Sequence, residues 1–381
     1  MLVIISMVIL WYGMAPVAGA LYKRYKWHIF RNRFDEMRLN PILDYNRYSQ
    51  QAEDDIFRFA GGFESITDGI LWIRSEDLTV PVYLNNAETY LLPMQKSDGI
   101  PEVFDPGDEA PERIRCERVS ALTEGARVFV GGLLACRNER RSFVSTRENP
   151  LMVIFYDGSD FSLTPRAIRA GRHRGEYWNA VTPYSLAIGA LCQILMATAF
   201  LPRPAFRLTV IVSIIALFVP LYPMIPPGLL FTVLYRRIAW RSRVLRSYRD
   251  LARLPLRYLA SSKGKDPDGS CFLPNGERYG CVCMAELSPQ AREGKIPLLL
   301  PELSAAGGGL WHIYGVLRPG EELPVQPKDP FATFGILPGS PQALAKRFEV
   351  AAYALEAVAW IILLAGIGLN IFFLRMVMVL L

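Results

Sequence analysis

The side chains that could do chemistry are few and scattered. Three histidines, His28, His173 and His312, stand far apart in the chain. No H-E-x-x-H pair sets two imidazoles on one helix face, as a zinc hydrolase requires. Cys271, Cys281 and Cys283 form the one thiol cluster. A structural zinc site wants four ligands, usually from two knuckles, and no fourth stands nearby; the three thiols are at most metal candidates and read more simply as strand residues. Asp266-Pro267-Asp268-Gly269-Ser270 resembles the start of a calcium loop but lacks the later bidentate Glu, so a turn is expected there. Asp157-Gly158-Ser159-Asp160 also reads as a turn. The phosphate-cradling G-x-x-x-x-G-K-[ST], the dinucleotide G-x-G-x-x-G and the nucleophile elbow G-x-S-x-G are all absent. No catalytic residue and no cofactor is assigned.

Cations are the other chemistry on offer. The net charge is +6, and Arg166, Arg169, Arg172, His173 and Arg174 precede Trp178 in a basic–aromatic mixture that could hold phosphate or nucleic acid. The same pattern beside an apolar run anchors a chain at a membrane, with cations on headgroups and Trp in the interfacial belt. Arg169, Arg172 and Arg174 are read in that second way, together with Lys23, Arg24 and Trp27 and with Arg236, Arg237 and Trp240. Each cation near an anionic leaflet contributes on the order of 1 kcal/mol. Anionic lipids are the expected partner, and nucleic acid is not.

The elements that must position these groups are mostly apolar. Of 381 residues, 51% are hydrophobic while 20% are charged, which suits membrane segments alternating with polar domains. Four runs match the roughly 20 residues needed to cross a hydrocarbon core: residues 1–21, 183–201, 207–235 and 350–374. The first lacks the basic start of a signal peptide and is followed at once by Lys23, Arg24 and Lys26, which favours an uncleaved anchor. The third carries Pro220, Pro223 and Pro226 and the first carries Pro16, so both helices are expected to kink where a backbone hydrogen bond is lost. Few polar groups lie in these runs. Gln193, Asn370 and Glu356 are the candidates, with Lys346 or Arg347 as the expected partner of Glu356.

Basic flanks orient the chain, because short Lys- and Arg-rich segments stay in the cytoplasm. The flank after residue 21 and the one after residue 235 should both be cytoplasmic. Both large polar regions, residues 22–182 and 236–348, then face the cytoplasm with both termini outside, as in a bacterial inner-membrane protein. The six dispersed cysteines, without a C-x-x-C pair, agree with a reducing compartment.

The chain also reads as a tandem duplication. Tyr22-Lys23-Arg24 with Trp27 matches Tyr235-Arg236-Arg237 with Trp240; Tyr83 to Glu88 with Tyr90 matches Phe272 to Glu277 with Tyr279. Gly132-Leu133-Leu134 matches Gly315-Val316-Leu317, and Gly158-Ser159 matches Gly339-Ser340, in the same order. The repeated unit would be span, basic helix, polar domain, span. Each polar domain is rich in short β-branched and aromatic stretches bounded by turn residues, such as Gly69 to Ile73, Val80 to Leu84, Arg127 to Leu134 and Trp311 to Leu317. Residues 100–111 form an acidic, Pro-rich loop with no counterpart in the second copy. The expected fold class is membrane α+β: four transmembrane helices with two small cytoplasmic β-rich domains.

A small β domain held between two spans, with strand–Gly–strand patterns such as Val128-Phe129-Val130-Gly131-Gly132-Leu133 and Asn149-Pro150-Leu151-Met152-Val153, resembles the beside-a-membrane (GIDE-type) domain of membrane-anchored ubiquitin ligases and their bacterial relatives. The zinc-binding RING of those ligases has no counterpart here, so the resemblance implies a membrane-adjacent recognition fold without ligase activity. The function expected is a non-catalytic scaffold or partner-recruiting module, within a larger complex or as a homo-oligomer. The alternative is a small channel or transporter subunit using the Pro-broken helices, and a membrane enzyme with an unrecognised carboxylate site comes third.

Overall fold

The computed structural model describes residues 2–50, 55–76, 78–92, 111–114, 119, 126–137, 140–172, 177–224, 228–261, 270–286, 296–300 and 310–380. Its helices are α1 (Leu2–Val8), α2 (Ala15–Met37), α3 (Tyr45–Gln50), α4 (Asp160–Arg169), α5 (Thr182–Phe200), α6 (Arg207–Leu217), α7 (Gly228–Ser261) and α8 (Pro341–Leu380). The chain divides into two compact units: Met1–His28, Gly171–Arg246 and Phe348–Leu381 form the first, and Ile29–Ala170 with Ser247–Arg347 form the second.

Among the described residues, four helical stretches are long and apolar enough to cross a membrane: Leu2–Met37, Thr182–Phe200, Pro204–Leu221 and Pro341–Phe373. This is a multi-pass membrane protein whose described residues also form two β-sheets. The first stretch is α1 joined to α2 by a π-helical turn at Ile9–Met14. Pro16 explains part of that turn. Proline has no N–H to return to the carbonyl four residues earlier, which is Tyr12, and the Tyr177 hydroxyl donates to that carbonyl instead, at 2.5 Å. The Ser185 hydroxyl serves the neighbouring Trp11 carbonyl in the same way. Gly189 of α5 lets this turn come close, for a Cβ there would lie 2.3 Å from the Tyr12 ring, the small-residue contact typical of membrane helices.

The expected third span, 207–235, is not one kinked helix. It ends as α-helix at Leu217, passes through a 3₁₀ turn at Val219–Met224 that contains Pro220 and Pro223, and a new helix begins at Gly228. The physical reason is the one that suggested a kink, carried further: two prolines three residues apart delete successive helical hydrogen bonds. Asn370 of α8 receives the Gly228 N–H at the new start, at 3.1 Å.

The second unit holds both sheets. The larger is built from β1 (Asp55–Thr67), β2 (Ile70–Ser75), β3 (Leu78–Tyr83), β4 (Glu88–Leu91), β5 (Glu112–Arg113), β6 (Arg127–Arg137), β7 (Arg140–Val144) and β8 (Met152–Tyr156), in the order β1-β2-β3-β7-β6-β8-β4-β5. An additional β1–β6 pairing closes β1, β2, β3, β7 and β6 into a ring, leaving β8, β4 and β5 as an extension. Phe57, Phe59 and Phe63 of β1, Leu71 and Ile73 of β2, and Val128 and Val130 of β6 fill its core. The alternation of these residues puts one face of each strand inside. The smaller sheet runs β12 (Gly335–Pro338), β11 (Trp311–Val316), β10 (Arg278–Met284), β9 (Cys271–Phe272), over a core of Ile296, Trp311, Ile313 and Ile336.

The internally matched segments have partly different settings. Gly158 and Gly339 both take positive φ, 85° and 99°, and each lies two residues before a helix, α4 and α8. By contrast, the segment from Tyr83 to Tyr90 joins β3 and β4, which do not pair with each other, whereas Phe272 to Tyr279 joins β9 and β10, which do.

Candidate functional site

The second unit contains a cleft of about 550 Å³ where polar and apolar groups converge. Its walls come from residues 42–45, the middle of β1, the β2–β3 turn, Arg127 at the start of β6, Asp160 at the start of α4, and Pro330–Phe331. Two buried or half-buried ion pairs fix its shape.

Arg58 lies on the face of β1 opposite Phe57 and Phe59 and is nonetheless only 1% exposed. Its Nε donates to the Asn40 carbonyl at 2.7 Å, its Nη1 to Asp329 Oδ1 at 3.0 Å, and its Nη2 to Asp329 Oδ2. The guanidinium also lies 5.3 Å from the centre of the Phe331 ring. Burying a guanidinium is costly unless it is paired and hydrogen-bonded, and here the fork is matched bidentately. Asp329 in turn accepts the Phe331 N–H at 3.0 Å, which sets the end of the 329–331 segment on the cleft.

Arg127 makes the second pair, donating from Nε to Asp160 Oδ1 at 2.9 Å and from Nη2 to Oδ2, while the Tyr156 hydroxyl donates to Oδ1 at 2.6 Å. Burial alone would lower the Arg127 pKa, but the hydrogen bond and charge of Asp160 outweigh it and raise it. Burial, and then the Asp160 charge, push the Tyr156 phenol far above its usual value. Neither group can trade a proton near neutral pH.

Two features of the cleft remain open. Arg74 of β2 is exposed and, among the described residues, has no ion-pair partner. The second is backbone. Phe63 donates its N–H to Ala126 at 2.7 Å, continuing the β1–β6 register, so odd-numbered residues of β1 point their amides at β6. Even-numbered residues point the other way: Arg58 exchanges hydrogen bonds with Pro41 and Leu43 there, and Gly62 stands opposite Arg74 of β2. Ala60, which lines the cleft, lies between them with its N–H and C=O turned away from β6, and among the described residues no backbone partner meets it on that side.

A second buried network backs this site. Arg38, 0% exposed, donates from Nε to Asp35 at 2.5 Å and from Nη2 to the Leu254 carbonyl at 3.3 Å, and its guanidinium lies 4.8 Å from the Tyr258 ring centre. Arg257 pairs with the other Asp35 oxygen. Tyr258 and Tyr279 donate to the carbonyls of Phe331 and Thr333, at 2.9 and 2.8 Å. Sequence reasoning missed Arg58, Asp329, Arg38 and Asp35. The one available signal was a lone Arg inside the apolar run Phe57-Arg58-Phe59.

The residues singled out from sequence are dispersed. His28 is exposed on α2; His312 stands opposite Cys283 across the β10–β11 pair, and Cys281 opposite Tyr314. Burial pushes the Cys281 thiol up to about 12. Cys271 is buried on β9, and among the described residues no group of three His, Cys, Asp or Glu side chains is placed to hold a metal. His173, Arg174, Pro226, Cys116, residues 266–269 and residues 100–110 of the acidic loop lie outside the described residues.

Of the interfacial set, Lys23, Arg172 and Trp240 are half-buried, and Arg24, Arg236 and Arg237 are exposed. Trp27 and Arg169 are each only 4% exposed: Trp27 packs on Gly171, and Arg169 is enclosed in α4, so neither is a surface group. Glu356 does not pair with Lys346 or Arg347. Arg24 and Arg246 hold it, the former at 3.4 Å, because a carboxylate along α8 can face α2 and α7 within the first unit. Gln193 is 0% exposed with neither amide atom hydrogen-bonded among the described residues, and Ser213 is buried with its hydroxyl in the same condition.

Comparison with protein-family models, with curated proteins and with solved structures gives no match.

Proposed function

We propose that this protein is a membrane-anchored recruiting module, with the cleft as its partner-binding surface and both β-rich domains on the cytoplasmic side. The observation that carries the reading is the state of the cleft's polar groups. Arg58 and Arg127 are locked in bidentate pairs with Asp329 and Asp160, and Tyr156 is held protonated. Such an arrangement maintains a shape; acid–base catalysis would instead call for a group poised near neutral pH. Exposed Arg236 and Arg237, next to an apolar run, support contact with anionic lipid and a cytoplasmic orientation. The turn–helix correspondence of Gly158 and Gly339 is what supports descent of the two domains from one duplicated unit. Purification of the full chain from native membranes tests the proposal. A stoichiometric partner is expected, and repeated recovery of the chain alone would sink it. For orientation, a thiol reagent that cannot cross the bilayer should miss the exposed Cys136 and Cys283 in intact cells and label them after permeabilisation.

One observation favours the channel or transporter reading: Gln193 and Ser213 bury polar groups without hydrogen-bond partners among the described residues, in helices that otherwise suit a bilayer, the placement typical of polar groups on a permeation path. Solute flux in proteoliposomes that Gln193→Leu abolishes would promote it over recruitment.

A further inference from the structure

We infer that the cleft takes an extended peptide segment bearing one carboxylate, its backbone paired with Ala60 and its carboxylate held by Arg74. This rests on the recruiting function proposed above and names the chemistry of the partner.

Three observations converge. The first is the gap in the β1 edge. Arg58 and Gly62 have backbone partners on the outward side, and Ala60 between them offers one N–H and one C=O to the cleft. One residue of an extended peptide entering between these flanks gains both hydrogen bonds, a single-residue use of the main-chain recognition by which peptides pair with a strand. The second is charge. Once Arg58–Asp329 and Arg127–Asp160 are set aside as internal pairs, Arg74 is, among the described residues that line the cleft, the cation left to meet a ligand, two residues before Glu76 on the same rim. A guanidinium fork binds a carboxylate bidentately, whereas Glu76 and Asp44 disfavour a ligand of several negative charges. The third is the floor. Phe59, Leu78 and Phe331 provide apolar contact, which suits the alternate side chains of a strand and gives nothing to inorganic phosphate. The volume lies within the range of about 300 to 1,000 Å³ usual for ligand sites.

The test uses the full chain in detergent micelles and fluorescein-labelled peptides of the form Gly-Ser-Val-Asp-Val-Ser-Gly, with the Asp placed at each position in turn. Saturable binding is expected for at least one register. Replacing its Asp by Asn, or using Arg74→Gln protein, should each weaken binding about tenfold or more, the worth of one charge-assisted hydrogen bond. N-methylating the peptide amide that faces Ala60 should do the same without touching the protein's fold. Inorganic phosphate and phosphatidylglycerol vesicles should not compete. Binding that ignores the Asn peptide and Arg74→Gln overturns the inference, as does the absence of binding in every register or displacement by the vesicles, which would make the cleft a headgroup site. The two levels separate in native membranes. A partner that co-purifies equally with wild type and Arg74→Gln removes the peptide chemistry and leaves recruitment standing, whereas no partner with either removes recruitment.

Discussion

The largest buried polar side chains of the second unit and the enclosed amide of the first are handled differently. In the second unit the largest buried polar side chains, Arg38 and Arg58, have carboxylate partners, Arg58 through a two-point fork on Asp329 and Arg38 through its Nε on Asp35, and both make further carbonyl and ring contacts. In the first unit Glu356 sits between two arginines at a half-exposed position, and Gln193 is fully enclosed with no hydrogen-bond partner among the described residues. The contrast separates a structural use of polarity from one that structure does not account for. Charges in the β unit can be understood as fold specification, with the cleft as a by-product that function can occupy. Gln193 has no such explanation within its own unit.

The sharpest way to break that contrast is to remove Asp329. Asp329→Ala leaves the Arg58 guanidinium buried against Phe331 without a counter-charge, and the expected loss is about 3–5 kcal/mol. Arg58→Met combined with Asp329→Leu should recover most of that loss, since well-packed apolar residues often replace a buried pair at little cost. Chemical denaturation followed by tryptophan fluorescence would measure both. A loss below about 1 kcal/mol for Asp329→Ala would mean that water reaches the pair and that the second unit is not so different from the first.

Alkaline pH offers a second test. Tyr156, Tyr258, Tyr279 and Tyr314 are all raised by burial before any other cause, and Tyr90 is raised to about 12 for the same first reason. A raised folded pKa means that the stabilisation is complete below the unfolded value near 10 and is lost as pH climbs towards the folded value. The second unit should therefore be insensitive to these groups up to about pH 10, then lose up to about 1.4 kcal/mol per pH unit for each phenol that only the unfolded chain ionises. Spectrophotometric titration should show these phenols ionising only as the unit unfolds. Smooth titration near pH 10 in the folded state would show that they are wet.

How much of this was legible in the sequence follows from the range of each interaction. The apolar runs announce themselves by length, and several strands by composition, so Trp311 to Val316 and Arg127 to Arg137 stand close to where they were expected. The 13-residue β1 escaped, because Gly61-Gly62 and a bulge between Phe63 and Ser65 interrupt its alternation. Helix α4 escaped as well, since Pro165 lies inside it and its arginines read as a membrane flank. The cleft could not be seen at all. Arg58 and Asp329 lie 271 positions apart, and no local pattern pairs residues at that separation. A charge is visible in a sequence, but its partner is a property of the fold.

Gln193→Leu tests the other side of the contrast. An amide enclosed without hydrogen bonds carries a desolvation cost of about 1–3 kcal/mol, and an apolar side chain of similar size removes it. The variant should raise the thermal midpoint of the detergent-solubilised protein. A fall of similar size would mean that the amide has a partner in the working protein, such as an ordered water or a transported solute, and would favour the transporter reading. Ser213→Ala should follow the same sign with a smaller amplitude.

Glu356→Gln is expected to have the smallest effect. Arg24 is 45% exposed and Arg246 26% exposed at their side chains, so solvent screens both pairs, and such contacts are worth about 0–1 kcal/mol. The Gln keeps one oxygen to accept from Arg246 and loses only the charge. A shift in thermal midpoint no larger than that of a neutral surface substitution is the expected result. A loss of several kcal/mol would instead place Glu356 in the class of Asp329, a carboxylate whose removal strands two arginines in a low-dielectric setting. The membrane unit would then rely on buried charge as heavily as the β unit does.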